Sequence, residues 1–325
     1  MLHTTGDPVP LLFDTDPGVD DAMALALLAR HPRVRLLGIT TVFGNAALEV
    51  TTRNALWLAG RLGLEVPVAA GAPRPLQRQP RGPAVDVHGD DGLGNLDEPI
   101  SPARRADTRP AHRLIVDTLR RHPGEVTLLA VGPLTNLALA LAEDPAIVHL
   151  VKQVVVMGGA FGTGGHHGNV SPVAEANVAC DPHAADAVFT APWPVTVVGL
   201  DVTHQVLMDH GAFERLRRQG GREGELLWRA SRHYVDFYRR ELGVDGCYVH
   251  DASAVACALA PSLFGTRAGP LRVATEGIAA GQTIQSHGGR QWTEGQAWAG
   301  LPDQRVCVDV HAAPVLDLVL GTLAR

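Results

Sequence analysis

The segment Leu11-Leu12-Phe13-Asp14-Thr15-Asp16-Pro17-Gly18-Val19-Asp20-Asp21-Ala22 decides how this chain is read. The run Val9–Phe13 is continuously apolar, the pattern of a strand buried on both faces. It passes through an acidic loop with Pro-Gly at its centre into Asp20–Arg30, an Ala/Leu/Met-rich helix that Pro32 stops. Four carboxylates within eight residues repel one another unless water surrounds them or a cation sits among them. The apolar residues on both sides argue against a solvated loop.

Outward from this segment the alternation continues. Val34–Val42 reads as a strand, Ala46–Leu62 as a helix and Pro67–Ala70 as a short strand. Residues 71–110, dense in Pro, Gly, Arg and Asp, break the rhythm and leave both a lid and a solvated loop open. It resumes with a helix at Ala111–Arg121, a strand at Val126–Val131, a helix at Thr135–Ala142 and a strand at Val151–Met157. The glycine-rich loop Gly158–Gly168 opens no helix, so it is not a dinucleotide fingerprint. A helix near Pro182–Phe189 and a strand Val195–Leu200 ending in Asp201 follow. Residues 205–260 are mostly helical, group Trp228, Tyr234, Phe237 and Tyr238, and close with His250-Asp251 opening the helix Ala252–Ala260. Late strands at Leu271–Ala274 and Arg305–Val310 and a helix at Pro314–Leu323 complete the chain. The pattern predicts an α/β fold, a mainly parallel central sheet flanked by helices with a helical insertion, in one domain over residues 1–325.

Composition narrows the function classes. A net charge of −6, with both signs dispersed, offers no basic footprint for nucleic acid or an anionic membrane. No apolar run approaches the ~20 residues that span a bilayer. Residues 1–8 lack the charged and apolar regions of a signal peptide. Cys180, Cys247, Cys257 and Cys307 are widely spaced and read as reduced thiols of a cytosolic protein, with two disulfides still open.

In open α/β sheets, ligands collect at the carboxyl ends of the strands. The acidic loop, Asn45, Val131-Gly132-Pro133, the glycine loop and Asp201 all fall there in this reading. Carboxylates and carbonyls without clustered Cys or His select a hard cation, Ca²⁺ or Mg²⁺, over zinc. Asp20 and Asp21 open a helix, where consecutive side chains diverge by ~100°, so one can face a metal and the other a substrate. Their complementing of the helix dipole is worth only ~0.3–1 kcal/mol and leaves Asp14 and Asp16 unexplained. A haloacid dehalogenase-type phosphatase also begins with Asp-x-Asp after a strand. That class wants Thr or Val where Gly18 stands, and no convincing downstream Lys and Asp-Asp pair is found.

Asp14-Thr15-Asp16-Pro17-Gly18-Val19-Asp20-Asp21-Ala22 resembles the signature of the inosine-uridine nucleoside hydrolases, which cleave the N-glycosidic bond of ribonucleosides with a bound Ca²⁺. The resemblance extends through Thr40–Asn45, His88-Gly89, Val131–Asn136, Met157–Gly159, Asn169–Asn177, Leu200–His204 and His250-Asp251. It implies Ca²⁺ ligation by Asp16, by both oxygens of Asp21, by the Val131 carbonyl and by Asp251. It implies further that Asp20 and Asn177 hold ribose hydroxyls and that Asn169 and Glu175 face the 5′-hydroxyl. By the same resemblance Asn45 would be a further sugar or water contact, His88 would lie toward the base, and Asp14 would give support. Asp16 is the expected base toward water and His250 the expected acid toward the leaving base. Ala176 departs from the family pattern, where many members carry a bulky aromatic, and His166-His167 enlarge the glycine loop. A Ca²⁺-dependent ribose-binding protein on the same scaffold is the non-catalytic alternative, disfavoured by the joint presence of Asp16 and His250. Family members are commonly homodimers or homotetramers, which is the expectation here.

Overall fold

The computed structural model describes residues 7–289 and 292–324; residues 1–6, part of the segment read for a signal peptide, lie outside the described residues. The strands run β1 Val9–Thr15, β2 Val34–Thr41, β3 Val68–Ala70, β4 Thr127–Ala130, β5 Gln153–Met157 and β6 Val195–Val198. They continue with β7 Leu207–Asp209, β8 Gly246–Tyr248, β9 Phe264–Gly269, β10 Leu271–Val273, β11 Thr283–Gln285 and β12 Gln304–Val310. Eight of the described strands form one sheet in the order β3-β2-β1-β4-β5-β6-β12-β9. All pairings are parallel except the edge pair β12–β9.

Strand β1 is buried along its whole length, as its apolar run requires. Pro10 is tolerated in this central strand because the pairing with β4 begins only at Leu11. The chain leaves β1 toward β2 and β3, then returns to the other side of β1 with β4. Strand order therefore reverses between β1 and β4, and their carboxyl ends diverge into a crevice. The helix Val19–Arg30 follows β1 and buries Val19, Ala22, Met23, Leu25 and Leu27 in the larger apolar core. A second core on the other face is built from Leu12, Ile115, Leu128, Val154, Val197 and their neighbours.

The helical insertion consists of His210–Gln219 and Gly221–Leu242, and the antiparallel pair β7–β8 closes it. Several local readings change. Asp201 does not end a strand: β6 stops at Val198, and Leu200–Thr203 is a turn of helix. Residues 71–110 contain a short helix, Val85–His88, and a further turn of helix, Ala176–Cys180, precedes Pro182–Thr190. The apolar pattern does not announce the short strands β7 and β8, which interrupt the stretch expected to be mostly helical, nor β9 and β11, since none is a long continuous apolar run; β9 places Gly, Thr and Arg along an exposed edge. All four cysteines are free thiols. No helix among the described residues is long and apolar enough to cross a membrane.

Candidate active site

The site forms where β1 and β4 diverge. Asp14 is the last residue of β1 paired with β4, and its carbonyl accepts the Val131 N–H at 2.9 Å. Its carboxylate accepts from Thr40 Oγ1 at 2.5 Å and Asn136 Nδ2 at 2.8 Å, which places it behind the loop as a brace. Asp16 Oδ2 accepts the Asn45 N–H at 2.7 Å, while Oδ1 is buried without a partner. A Cβ on Gly132 would stand 2.5 Å from that Oδ1, so only glycine lets the backbone after Val131 lie against Asp16.

Asp21 is the most heavily bonded of the four. Its Oδ1 accepts from Thr15 Oγ1 at 2.5 Å and Asp16 N at 3.2 Å. Its Oδ2 accepts from Gly18 N at 2.9 Å, capping the helix, and from Asn45 Nδ2 at 3.0 Å. Asp251 comes from the far end of the chain as the first residue of the helix Asp251–Leu259. Oxygens of Asp20, Asp21 and Asp251 lie within 4.8 Å of one another. This trio differs in one member from the expected ligand set, holding Asp20 where the resemblance assigns Asp16.

None of the bonding partners of these carboxylates is cationic. Burial, first of all, pushes every one of them upward: Asp14 to about 7, Asp20 to about 8, and Asp16, Asp21 and Asp251 in the same direction. Mutual repulsion adds to burial at Asp16, Asp20 and Asp251. Orphaned oxygens on Asp14, Asp16 and Asp20, all-oxygen donors and a buried excess of negative charge are what a hard cation compensates.

A cavity of about 360 Å³ opens over Asp20 and Asp251, and all six expected substrate contacts line it together with Val131 and His250, while Asp16 and Asp21 lie beneath its lining. Asn177 Nδ2 donates to the Val131 carbonyl at 2.8 Å and to the Met157 carbonyl at 3.2 Å, tying the ends of β4 and β5 together. The Val131 oxygen keeps a second lone pair for another partner. Glu175 is buried, and both its oxygens accept backbone N–H groups: Asn177 at 2.8 Å, Gly159 at 2.9 Å and Val178 at 3.1 Å. It is therefore first a cap that fastens the glycine loop to the next turn of helix. Asn169, exposed at the rim, accepts the Ala176 N–H at 3.0 Å.

Two histidines flank the other end. His88 Nδ1 accepts the Val19 N–H at 3.2 Å, so the ring proton sits on Nε2. A Cβ on Gly18 would come within 2.6 Å of that Nδ1, which explains the glycine in the acidic loop. His250 is held at Nδ1 by Thr203 Oγ1 and at Nε2 by the Tyr238 hydroxyl, both at 2.8 Å. Burial drives both rings down to about 3, so both are neutral at pH 7. Tyr238 bonds Tyr234 at 3.4 Å, Tyr234 reaches Asp20 Oδ2 at 3.5 Å, and Tyr234 stacks on His88 with centroids 5.5 Å apart. Sequence reasoning grouped these tyrosines without assigning them to the site. Their spacing of four residues, one helical face, was the available signal.

The model of the inosine-uridine preferring nucleoside hydrolase family matches residues 11–317. This chain belongs to that family. It is 39% identical over 316 residues to uridine nucleosidase 1 of Arabidopsis thaliana, covering 97% of this chain and 93% of that protein. It is 41% identical over 280 residues to an inosine-uridine preferring nucleoside hydrolase of Leishmania major, covering 85% and 87%. The solved structure of a plant nucleoside hydrolase superposes with a TM-score of 0.93 at 37% identity, covering 98% of this chain and 99% of that one. The hydrolase cleaves ribonucleosides, and its buried aspartate group could bind a metal ion.

The electrostatics of the metal-free hydrolase yield a prediction. A carboxylate raised above its unfolded value near 4 holds its proton more tightly in the native state. Between about 4 and about 8 these carboxylates therefore bind more protons in the native chain than in the unfolded one and contribute stability that is lost as pH rises; below about 6.5 the buried neutral His88 and His250 oppose them, so the carboxylates act alone from about 6.5 to about 8. Thermal unfolding in chelator is expected to show a higher Tm at pH 6.5 than at pH 8. Millimolar CaCl₂ at pH 8 then raises Tm and releases protons. A Tm that is flat across this window and indifferent to Ca²⁺ contradicts the account.

Proposed function

We propose that this hydrolase uses one Ca²⁺ held by Asp16, Asp21, Asp251 and the Val131 carbonyl, with Asp20 and Asn177 turned to the ribose hydroxyls. The observation that carries this reading is the convergence of Asp20, Asp21 and Asp251 oxygens within 4.8 Å, beside the orphaned Asp16 Oδ1 and a cavity of nucleoside scale. When bound, Ca²⁺ supplies the positive charge that keeps the crowded carboxylates ionised, and it polarises water and sugar hydroxyls. Asp16 accepts the proton of the attacking water through Oδ1. Positive charge that builds on the sugar as the bond breaks is complementary to the surrounding carboxylates.

His250 delivers a proton to the departing base. The resting ring is neutral, so it takes up a proton from solvent before handing one to the base nitrogen, and the negative charge growing on the base favours that charged ring as the bond breaks. The Tyr238 hydroxyl on Nε2 lies on the path of that proton. His88 offers its Nε2–H toward the base, Asn45 positions sugar or water, and Asn169 and Glu175 face the 5′-hydroxyl. Uridine is the first substrate to test, since relatives 38–41% identical are named for uridine or for inosine and uridine. We further propose a single catalytic domain, a homodimer or homotetramer, and a cytoplasmic location.

A turnover assay with mixed ribonucleosides, with chelator and with restored CaCl₂, tests the reading. Nucleobase and free ribose released only when CaCl₂ is present support it. Unchanged turnover in chelator, or restoration by Zn²⁺ alone, refutes the assigned metal.

A further inference from the structure

Asp201 takes no part in the site so far, although it is a fully buried carboxylate. Its Oδ2 accepts the Phe161 N–H at 2.9 Å and its Oδ1 the Thr163 N–H at 2.7 Å. One carboxylate thus grips the glycine loop at two points with charge-assisted bonds, and the neighbouring Leu200 N–H adds a third, to the Gly159 carbonyl at 2.9 Å. The same turn of helix then does two other things. Thr203 Oγ1 holds His250 Nδ1 at 2.8 Å, and His204 lies edge-on to His166 of the loop with ring centroids 5.5 Å apart. Beyond the gripped residues the loop runs into Gly168, Asn169 and Val170, which line the cavity rim.

We propose that Asp201 is a positioning residue for the substrate's 5′-hydroxyl, acting through the loop that carries Asn169. Thr203, two residues on, holds the opposite, leaving-group end through His250. The proposal rests on the reading of Asn169 as a 5′-hydroxyl contact. An Asn side chain at 201 keeps one acceptor oxygen but turns its NH₂ toward a loop N–H, so one grip is lost and two donors face each other. The loop then shifts, and a displacement of about 1 Å at a substrate contact costs up to ~10²-fold.

The test compares kcat/KM for uridine and 5′-deoxyuridine in the Ca²⁺-loaded enzyme and in three variants. Asp201→Asn is expected to lose about 10- to 30-fold on uridine and less than about 3-fold on 5′-deoxyuridine. Asn169→Ala shows the same selectivity. Thr203→Val loses equally on both nucleosides while sparing p-nitrophenyl riboside, whose leaving group needs no proton. Activity on 5′-deoxyuridine doubles as the folding control. Asp201→Glu, which retains two acceptor oxygens, supplies the same comparison with a smaller selective loss if the Asn variant does not fold. Equal losses on both nucleosides for the 201 variants, with Asn169→Ala still selective, overturn the proposal. Equal losses for Asn169→Ala as well remove the 5′-hydroxyl reading and the proposal together.

Discussion

Asp16→Asn is expected to lower kcat/KM for uridine by about 10²–10⁴-fold, the range of a positioned general base. The substitution is nearly isosteric, and the Asn45 N–H at 2.7 Å can still be accepted by the amide oxygen. What disappears is the basic Oδ1, the atom that the fold buries against Gly132 without giving it a partner. Burial already lifts Asp16 toward the proton-accepting range, helped by repulsion from Asp21. Calcium titrations of the variant separate the two roles proposed for this side chain. A kcat loss at saturating Ca²⁺ identifies the base; a loss that vanishes at high Ca²⁺ leaves Asp16 a ligand only. Activity within about tenfold of the parent enzyme removes both roles.

The second large effect concerns the other face of the substrate. His250→Ala is expected to lower uridine hydrolysis by about 10²–10⁴-fold while leaving p-nitrophenyl riboside within a few-fold of the parent. The ring is bracketed by Thr203 and Tyr238 at 2.8 Å on each side, so its orientation is fully determined. Tyr238→Phe shares the selective loss if the proton passes through the hydroxyl. Equal losses on both substrates for His250→Ala would falsify the acid assignment and make the ring a packing element beside Asp251.

Much of the fold was legible because its signals are local. The apolar run of β1, the Pro32 stop and the alternation of strands and helices through β6 need only neighbouring residues to be read. The exceptions have local causes too. Val195–Leu200 is mostly apolar, yet the strand ends at Val198 because Leu200 N–H turns back to the Gly159 carbonyl and starts a helix. Strand β9 carries its pairing on one edge and its polar residues in solvent, so no apolar run announces it.

For the site, the acidic loop declared its own conflict: four carboxylates between apolar segments demand compensation. Sequence alone also places that loop at the carboxyl end of a buried strand, since the run before it is continuous. What it does not determine is the partner set, because convergence depends on strand order. Only the reversal between β1 and β4 brings Val131 beside Asp16, and only the packing of the helix Asp251–Leu259 against the one after β1 brings Asp251 to Asp20 and Asp21. Glu175 shows the same division from the other side: the resemblance assigns its carboxylate to the 5′-hydroxyl, and three backbone N–H groups claim it in the fold. Residue type and spacing determine which chemistry is possible. Through-space distance, which no periodicity encodes, decides which residues share it.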